Sequence, residues 1–159
     1  MEPRAAAPPI DVDRSRAGAS TALVVILGGV CAALHIGKLP PAITALQAAL
    51  GLTLVQAGFL LSLVQLAGMA SGVAMGAFAD GIGLRRSMLL GLTILAGASV
   101  LGGLVDGVGA LLLLRAVEGL GFLLVDLPAP GLVRRLVPAD RTDLMLGMWG
   151  AYMPLGAAL

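Results

Sequence analysis

The sequence has one cysteine, Cys31, and one histidine, His35, and only 12% of its 159 residues are charged. A single cysteine cannot form an internal disulfide, and these two residues alone cannot build a metal-ligand cluster. The sequence also places no nucleophile beside a base. We therefore expect no enzyme, no metal site and no cofactor.

Apolar residues make up 58% of the chain, and the mean hydropathy is +1.01. These values are too high for an average soluble domain. A transmembrane helix needs roughly 20 mostly apolar residues. Five runs meet or approach that length: 19–39, 55–79, 87–105, 110–129 and 144–159. The sequence thus predicts an all-α membrane protein with about five transmembrane helices in a lipid bilayer.

The two ends of the chain carry further signals. Residues 1–18 are rich in proline, alanine and charge, which predicts a disordered tail. A secretory signal peptide is the rival interpretation, but the first apolar run is long and more runs follow. Cys31 lies within that run and is predicted to be a small buried residue. The run 144–159 has no polar flank after it, so we expect a fragment of a longer protein.

The positively charged residues fall mainly on one side of the predicted topology. A cytoplasmic amino terminus leaves Lys38 near the outer face and Arg115 within a span. The eight cytoplasmic residues are then Arg4, Arg14, Arg16, Arg85, Arg86, Arg134, Arg135 and Arg141. This bias predicts an inside amino terminus.

Two connections also carry predictions. The segment 40–54 is expected to be an outer connection, and the segment around Arg134 and Arg135 is expected to be a short interfacial helix on the cytoplasmic side. Asp140 or Thr142 is a candidate cap for the fifth span.

The fourth run contains three charged residues, Arg115, Glu118 and Asp126. At 100° per residue, Glu118 lies about 60° and Asp126 about 20° from Arg115 around the helix. Each would cost about 2.5 to 3.5 kcal/mol at the bilayer centre, so all three should face protein or water. Arg115 and Glu118 are candidates for substrate or proton coupling. The alternative is that they only neutralise each other.

The first run ends with His35 and Lys38, which share a helix face. Lys38 is a candidate ligand at the outer mouth, although its side chain has the length to snorkel outward. His35 is either a packing residue or part of a proton relay.

Gly68, Gly72 and Gly76 recur every four residues in the second run. Such a stripe lets two membrane helices approach closely. We therefore predict a packing face at Gly68 and Gly72, with Gly76 also belonging to the loop that follows.

Two motifs together resemble those of one transporter family. The loop Gly76-x-x-x-Asp80-x-x-Gly83-x-Arg85-Arg86 is similar to the cytoplasmic loop motif of the major facilitator superfamily. The segment from Arg115 through Glu118 to Gly119 and Gly121 resembles its fourth-span motif, in which the glycines would serve helix packing.

The resemblance implies a twelve-helix transporter of two halves that works by alternating access, of which this chain would be the first part. It also implies a conformational latch that joins the loop to the fourth span and the opposite half. Asp80, Arg85 and Asp126 would form that latch. Gly81 and Leu84 replace basic residues found in many members, so Arg85 and Arg86 would carry more of the network.

The segments 37–41 and 148–156 are similar to bacterial transporters of the cyanate-permease-like group. This likeness, with Lys38 and Arg115 on a cavity, favours a small organic or inorganic anion as substrate, with a coupling proton. The expected partners are the bilayer, this solute and the missing carboxy-terminal half, with no nucleic acid. The expected location is the bacterial inner membrane. The alternative is a complete five-span structural or assembly protein.

Overall fold

The computed structural model describes residues 12–159, and their side chains from Ala17 onward. The regular structure in that range is entirely helical. Its helices are α1 (Val12–Gly37), α2 (Leu39–Leu50), α3 (Leu54–Ile82), α4 (Leu84–Gly102), α5 (Val108–Asp126), α6 (Ala129–Leu136), α7 (Ala139–Gly150) and α8 (Tyr152–Ala158).

Four apolar stretches are long enough to cross a membrane. They are Ala17–Leu50, Leu54–Ile82, Leu84–Gly102 and Val108–Leu136. The predicted runs from the second to the fourth coincide with α3, α4 and α5 to within a few residues. An all-helical membrane protein is therefore the architecture that the described residues support.

The first stretch differs from its prediction at both ends. Helix α1 begins at Val12, so residues 12–18 of the predicted tail are helical, and the earlier part of the tail lies outside the described residues. The segment 40–54, predicted as a connection, is helical as far as Leu50. Pro40 and Pro41 occupy the first turn of α2, where a missing N–H is tolerated.

The prolines mark the junction between α1 and α2. Because they lack N–H groups, they cannot bond the carbonyls of Ile36 and Gly37 four residues before them. Lys38 keeps a right-handed helical conformation at this point, with φ −62° and ψ −25°. The chain therefore continues in one direction, with a local break in its hydrogen bonding beside Lys38.

Helix α3 begins with a capping box at Thr53 and Gln56. The Thr53 hydroxyl accepts from the Gln56 N–H at 3.2 Å, and the Gln56 side chain accepts from the Thr53 N–H at 3.0 Å. Helices α3 and α4 meet at Gly83, whose φ of 91° favours glycine. The predicted charged turn is thus one residue long, and Asp80 and Gly81 belong to the last turn of α3.

The predicted fifth run forms two short helices. Helix α7 begins at Ala139 and ends at Gly150, and α8 begins at Tyr152. Pro154 has no N–H for the Gly150 carbonyl, which accounts for the break at Ala151. The expected cap is absent: Pro138 precedes α7, and the Thr142 hydroxyl instead donates to the Pro138 carbonyl at 3.1 Å. A fifth membrane span stays a prediction.

Helix α5 lies between α3 and α4, while α1 packs against α8 and α6. Glycines bring α5 close to both neighbours. A Cβ at Gly119 would lie 3.1 Å from the Cα of Val64 on α3, and one at Gly91 on α4 would lie 2.5 Å from the Gly121 carbonyl oxygen. Close backbone contact therefore fixes the position of α5 on two sides.

Candidate functional site

Helix α5 places Arg115 and Glu118 one turn apart in the interior. Their exposed fractions are 3% and 5%. The Arg115 guanidinium forms an ion pair with the Glu118 carboxylate through its Nη1. Their spacing of three residues brings the two groups together, as the sequence predicted.

Lys38 joins this pair from the junction between α1 and α2. Its Nζ lies 2.7 Å from Oε1 of Glu118 and donates at 2.7 Å to the hydroxyl of Ser99 on α4. Its side chain is 39% exposed, far more than that of Arg115 or Glu118. Lys38 is thus the accessible member of the charged cluster, which we define as Lys38, Arg115 and Glu118.

Arg115 is held by backbone groups of two other helices. Its Nη1 donates to the carbonyl of His35 on α1 at 2.7 Å, and its Nε donates to the carbonyl of Leu60 on α3 at 3.3 Å. These bonds connect α1, α3 and α5 through one side chain. Arg115 therefore has a structural role in the cluster, whatever else it contacts.

The charged cluster contains two cations and one carboxylate. Its formal charge is thus one positive unit in excess, in an apolar setting where charges are normally compensated. A cavity of about 330 Å³ adjoins the cluster and is lined by all three of its side chains, by Ser99 and by apolar residues of α2 to α5. The arrangement is suited to a small anion, which would balance the excess charge.

A second cavity of about 510 Å³ adjoins the other side of Lys38. His35, Lys38 and Ser99 line it together with the two prolines of the junction. Lys38 and Ser99 line both cavities, so the hydrogen bond that joins these two residues borders both spaces.

His35 contributes its backbone to the cluster, and its ring is engaged elsewhere. The ring Nδ1 bonds the Cys31 carbonyl at 2.9 Å within α1, and this geometry requires the proton on Nδ1.

The side chain of Cys31 is exposed, so its predicted burial is wrong. The reason is that it lies on a face of α1 that no other described helix covers.

The residues of the predicted latch are not brought together. Asp126 accepts a hydrogen bond from the Tyr152 hydroxyl on α8. Among side chains 17–159, the ion pairs involve only the charged cluster, and Asp80 is exposed. Arg85 lines an apolar groove between α1, α4 and α6. In this structure Asp126 therefore has a neutral partner in place of Arg85.

The predicted glycine stripe has little to pack against within the described residues. A Cβ at Gly68 would lie 3.6 Å from a methyl group of Leu123, whereas a Cβ at Gly72 or Gly76 would meet nothing within 4 Å. The close helix contacts are made by Gly119 and Gly121. The stripe therefore leaves an open face on α3.

Two polar residues of this region were not found from the sequence. Ser99 gave no signal, because its bond to Lys38 spans 61 residues and depends on how the helices pack. Tyr152 is the single tyrosine of the chain and lies in an apolar run, and a buried tyrosine hydroxyl usually needs a partner. That rule would have predicted a polar neighbour without identifying Asp126.

No three or more metal-ligating side chains come together in the part of the chain that the structure describes. The apolar helices and the buried charged cluster define a polytopic helical membrane protein with a polar interior site. Comparison with known proteins identifies the family within this class.

A family model described as Major Facilitator Superfamily matches residues 25–159. The chain belongs to the major facilitator superfamily, whose members transport small solutes across membranes. Comparison with curated proteins gave no significant match, and neither did comparison with solved structures.

Proposed function

We propose that the chain is the amino-terminal part of a secondary active transporter that moves a small organic or inorganic anion by alternating access. The observation that carries this proposal is the charged cluster, with one uncompensated positive charge beside a cavity of about 330 Å³. A monovalent anion would neutralise that charge.

Lys38 is the residue that we assign to the anion. Two of its three ammonium hydrogens bond Ser99 and Glu118, and the third remains for a ligand. Arg115 uses three of its five N–H donors on two backbone carbonyls and on Glu118, and these bonds hold Glu118 and the neighbouring helices in place.

The distribution of arginines supports the proposed membrane topology. We place the arginines of the α3–α4 junction and of α6 in the cytoplasm and the protein in a bacterial inner membrane, in the cyanate-permease-like branch. Gly76, Asp80, Gly83, Arg85 and Arg86 would contact the carboxy-terminal half. The open face of α3 supports such a contact surface.

The test is uptake by the intact transporter in vesicles, using labelled formate, acetate, cyanate and nitrate, with glycerol as a neutral comparator. Lys38→Met should abolish anion uptake, because it removes the accessible cation. Arg141→Gln is the matched control, since it also removes one positive charge but is exposed and distant from the cluster. Uptake by Lys38→Met equal to that of the control would refute the assignment.

A further inference from the structure

Asp126 is a second charged group on α5, outside the charged cluster. It lies about 20° from Arg115 around the helix and, relative to Glu118, about 12 Å further along the axis. The helix bundle therefore has an excess positive charge, contributed by Lys38, at one level of α5 and a carboxylate at another.

The surroundings of Asp126 differ from those of Glu118. Its partner is the hydroxyl of Tyr152, whose side chain is largely buried and stacks on Trp149 at 4.1 Å. Apolar residues of α1, α4 and α6, among them Val25, Met88 and Val133, belong to the same buried core as Tyr152. Among side chains 17–159, no cation forms an ion pair with Asp126, whose side-chain partner is Tyr152, and Arg85 on α4 lines the groove that also contains Val25 and Met88.

We propose, building on the transport function above, that Asp126 is the site that binds the coupling proton in anion–proton symport. One proton adds to its carboxylate without any other bond changing, and the Tyr152 hydroxyl positions the carboxyl group. Tyr152 is thus a positioning residue.

Charge balance assigns the proton to Asp126 in preference to Glu118. A proton on Glu118 would leave Lys38 and the buried Arg115 as two adjacent cations without a counterion, which is unfavourable beside an apolar interior. A proton on Asp126 removes a negative charge that forms no ion pair with a described cation. When the anion is bound at Lys38 and the proton at Asp126, both levels of α5 are neutral.

The two binding events are coupled through space. A negative charge on Asp126, about 12 to 16 Å from an anion at the cluster, repels it enough to weaken binding about six- to tenfold at an effective dielectric constant of 20. By linkage, anion binding favours proton binding by the same factor. Because each binding event favours the other, the anion and the proton should cross the membrane together.

The experiment uses the intact transporter in vesicles, with formate, acetate, cyanate and nitrate as probes. We expect the wild-type KM in counterflow to fall about six- to tenfold as the pH is lowered, because a protonated Asp126 no longer repels the anion. Asp126→Asn should show the low KM at every pH and retain counterflow, but lose accumulation driven by a proton gradient. Asp143→Asn, an exposed carboxylate on α7, is the matched control and should behave as wild type.

Gradient-driven accumulation by Asp126→Asn would overturn the proposal. If that variant does not insert into the membrane, two other measurements test the proposal. The pH dependence of KM should shift in Tyr152→Phe, and a wild-type KM that does not vary with pH would refute the coupling. Failure of the wild type to take up any of the four anions would instead refute the transport function itself.

Discussion

Replacing Glu118 by glutamine is expected to destabilise the helix bundle strongly. The substitution keeps the shape of the side chain but removes the negative charge between Arg115 and Lys38. Both cations then lack a counterion, and the new amide group presents its own N–H donors to them. Breaking a buried ion pair in this way costs about 3 to 5 kcal/mol of unfolding free energy.

The size of this effect follows from the geometry. Charges 2.7 Å apart, as in Lys38 and Glu118, attract by about 6 kcal/mol at an effective dielectric constant of 20. More than a third of the Lys38 side chain is exposed, so solvent screening weakens its attraction to Glu118. Most of the loss should therefore come from Arg115, which is buried and cannot give up its charge.

A double-mutant cycle separates the two cations. Lys38→Met alone leaves a neutral Arg115–Glu118 pair and should change the unfolding free energy by less than about 1 kcal/mol. In the Glu118→Gln background the same change should recover about 1 to 2 kcal/mol, since it removes one of two uncompensated cations.

The measurement is the free energy of unfolding in mixed micelles, followed by the loss of helix packing on titration with a denaturing detergent. Asp143→Asn provides the control, because its carboxylate is exposed. Equal stability of Glu118→Gln and Asp143→Asn would contradict the reasoning, as would a double variant no more stable than Glu118→Gln.

The other stability predictions concern helix packing and capping, and the same titration measures them. Gly91→Val should cost about 1 to 3 kcal/mol, because its side chain would collide with the Gly121 carbonyl, whereas Gly97→Val on the same helix meets nothing within 4 Å and should be tolerated. Thr53→Ala should cost about 1 kcal/mol by removing the cap of α3, with the exposed Thr93→Ala as control. Equal losses in either pair of variants would show that packing or capping is not the cause.

The helices of this chain are readable from the sequence because charges and glycines separate long apolar runs. The first stretch was misread at Pro40 and Pro41, where prolines suggested a connection. In the structure they occupy the first turn of a helix, a position at which proline is favourable. Sequence alone does not distinguish these two uses of proline.

The candidate site was predictable where its residues lie on one helix. Arg115 and Glu118 are three residues apart, so helical geometry brings them together. The bond from Lys38 to Ser99 depends on the packing of α1 against α4, and no periodicity encodes it. The resemblance to the superfamily assigned Asp126 to a latch, whereas the break at Ala151 places Tyr152 within reach of its carboxylate.

The glycines on the two sides of α5 have a mechanical consequence. With the backbones of α3 and α4 in contact with it, α5 cannot rotate or tilt independently, and the three helices should move as one rigid unit. Helices α1 and α8 form a separate packed pair, whose polar contacts with that unit include those of Lys38, of the His35 carbonyl and of Tyr152 with Asp126. A change between access states that displaces one unit relative to the other would have to break these contacts, so an anion that binds Lys38 and weakens its bond to Glu118 would lower the resistance to that movement.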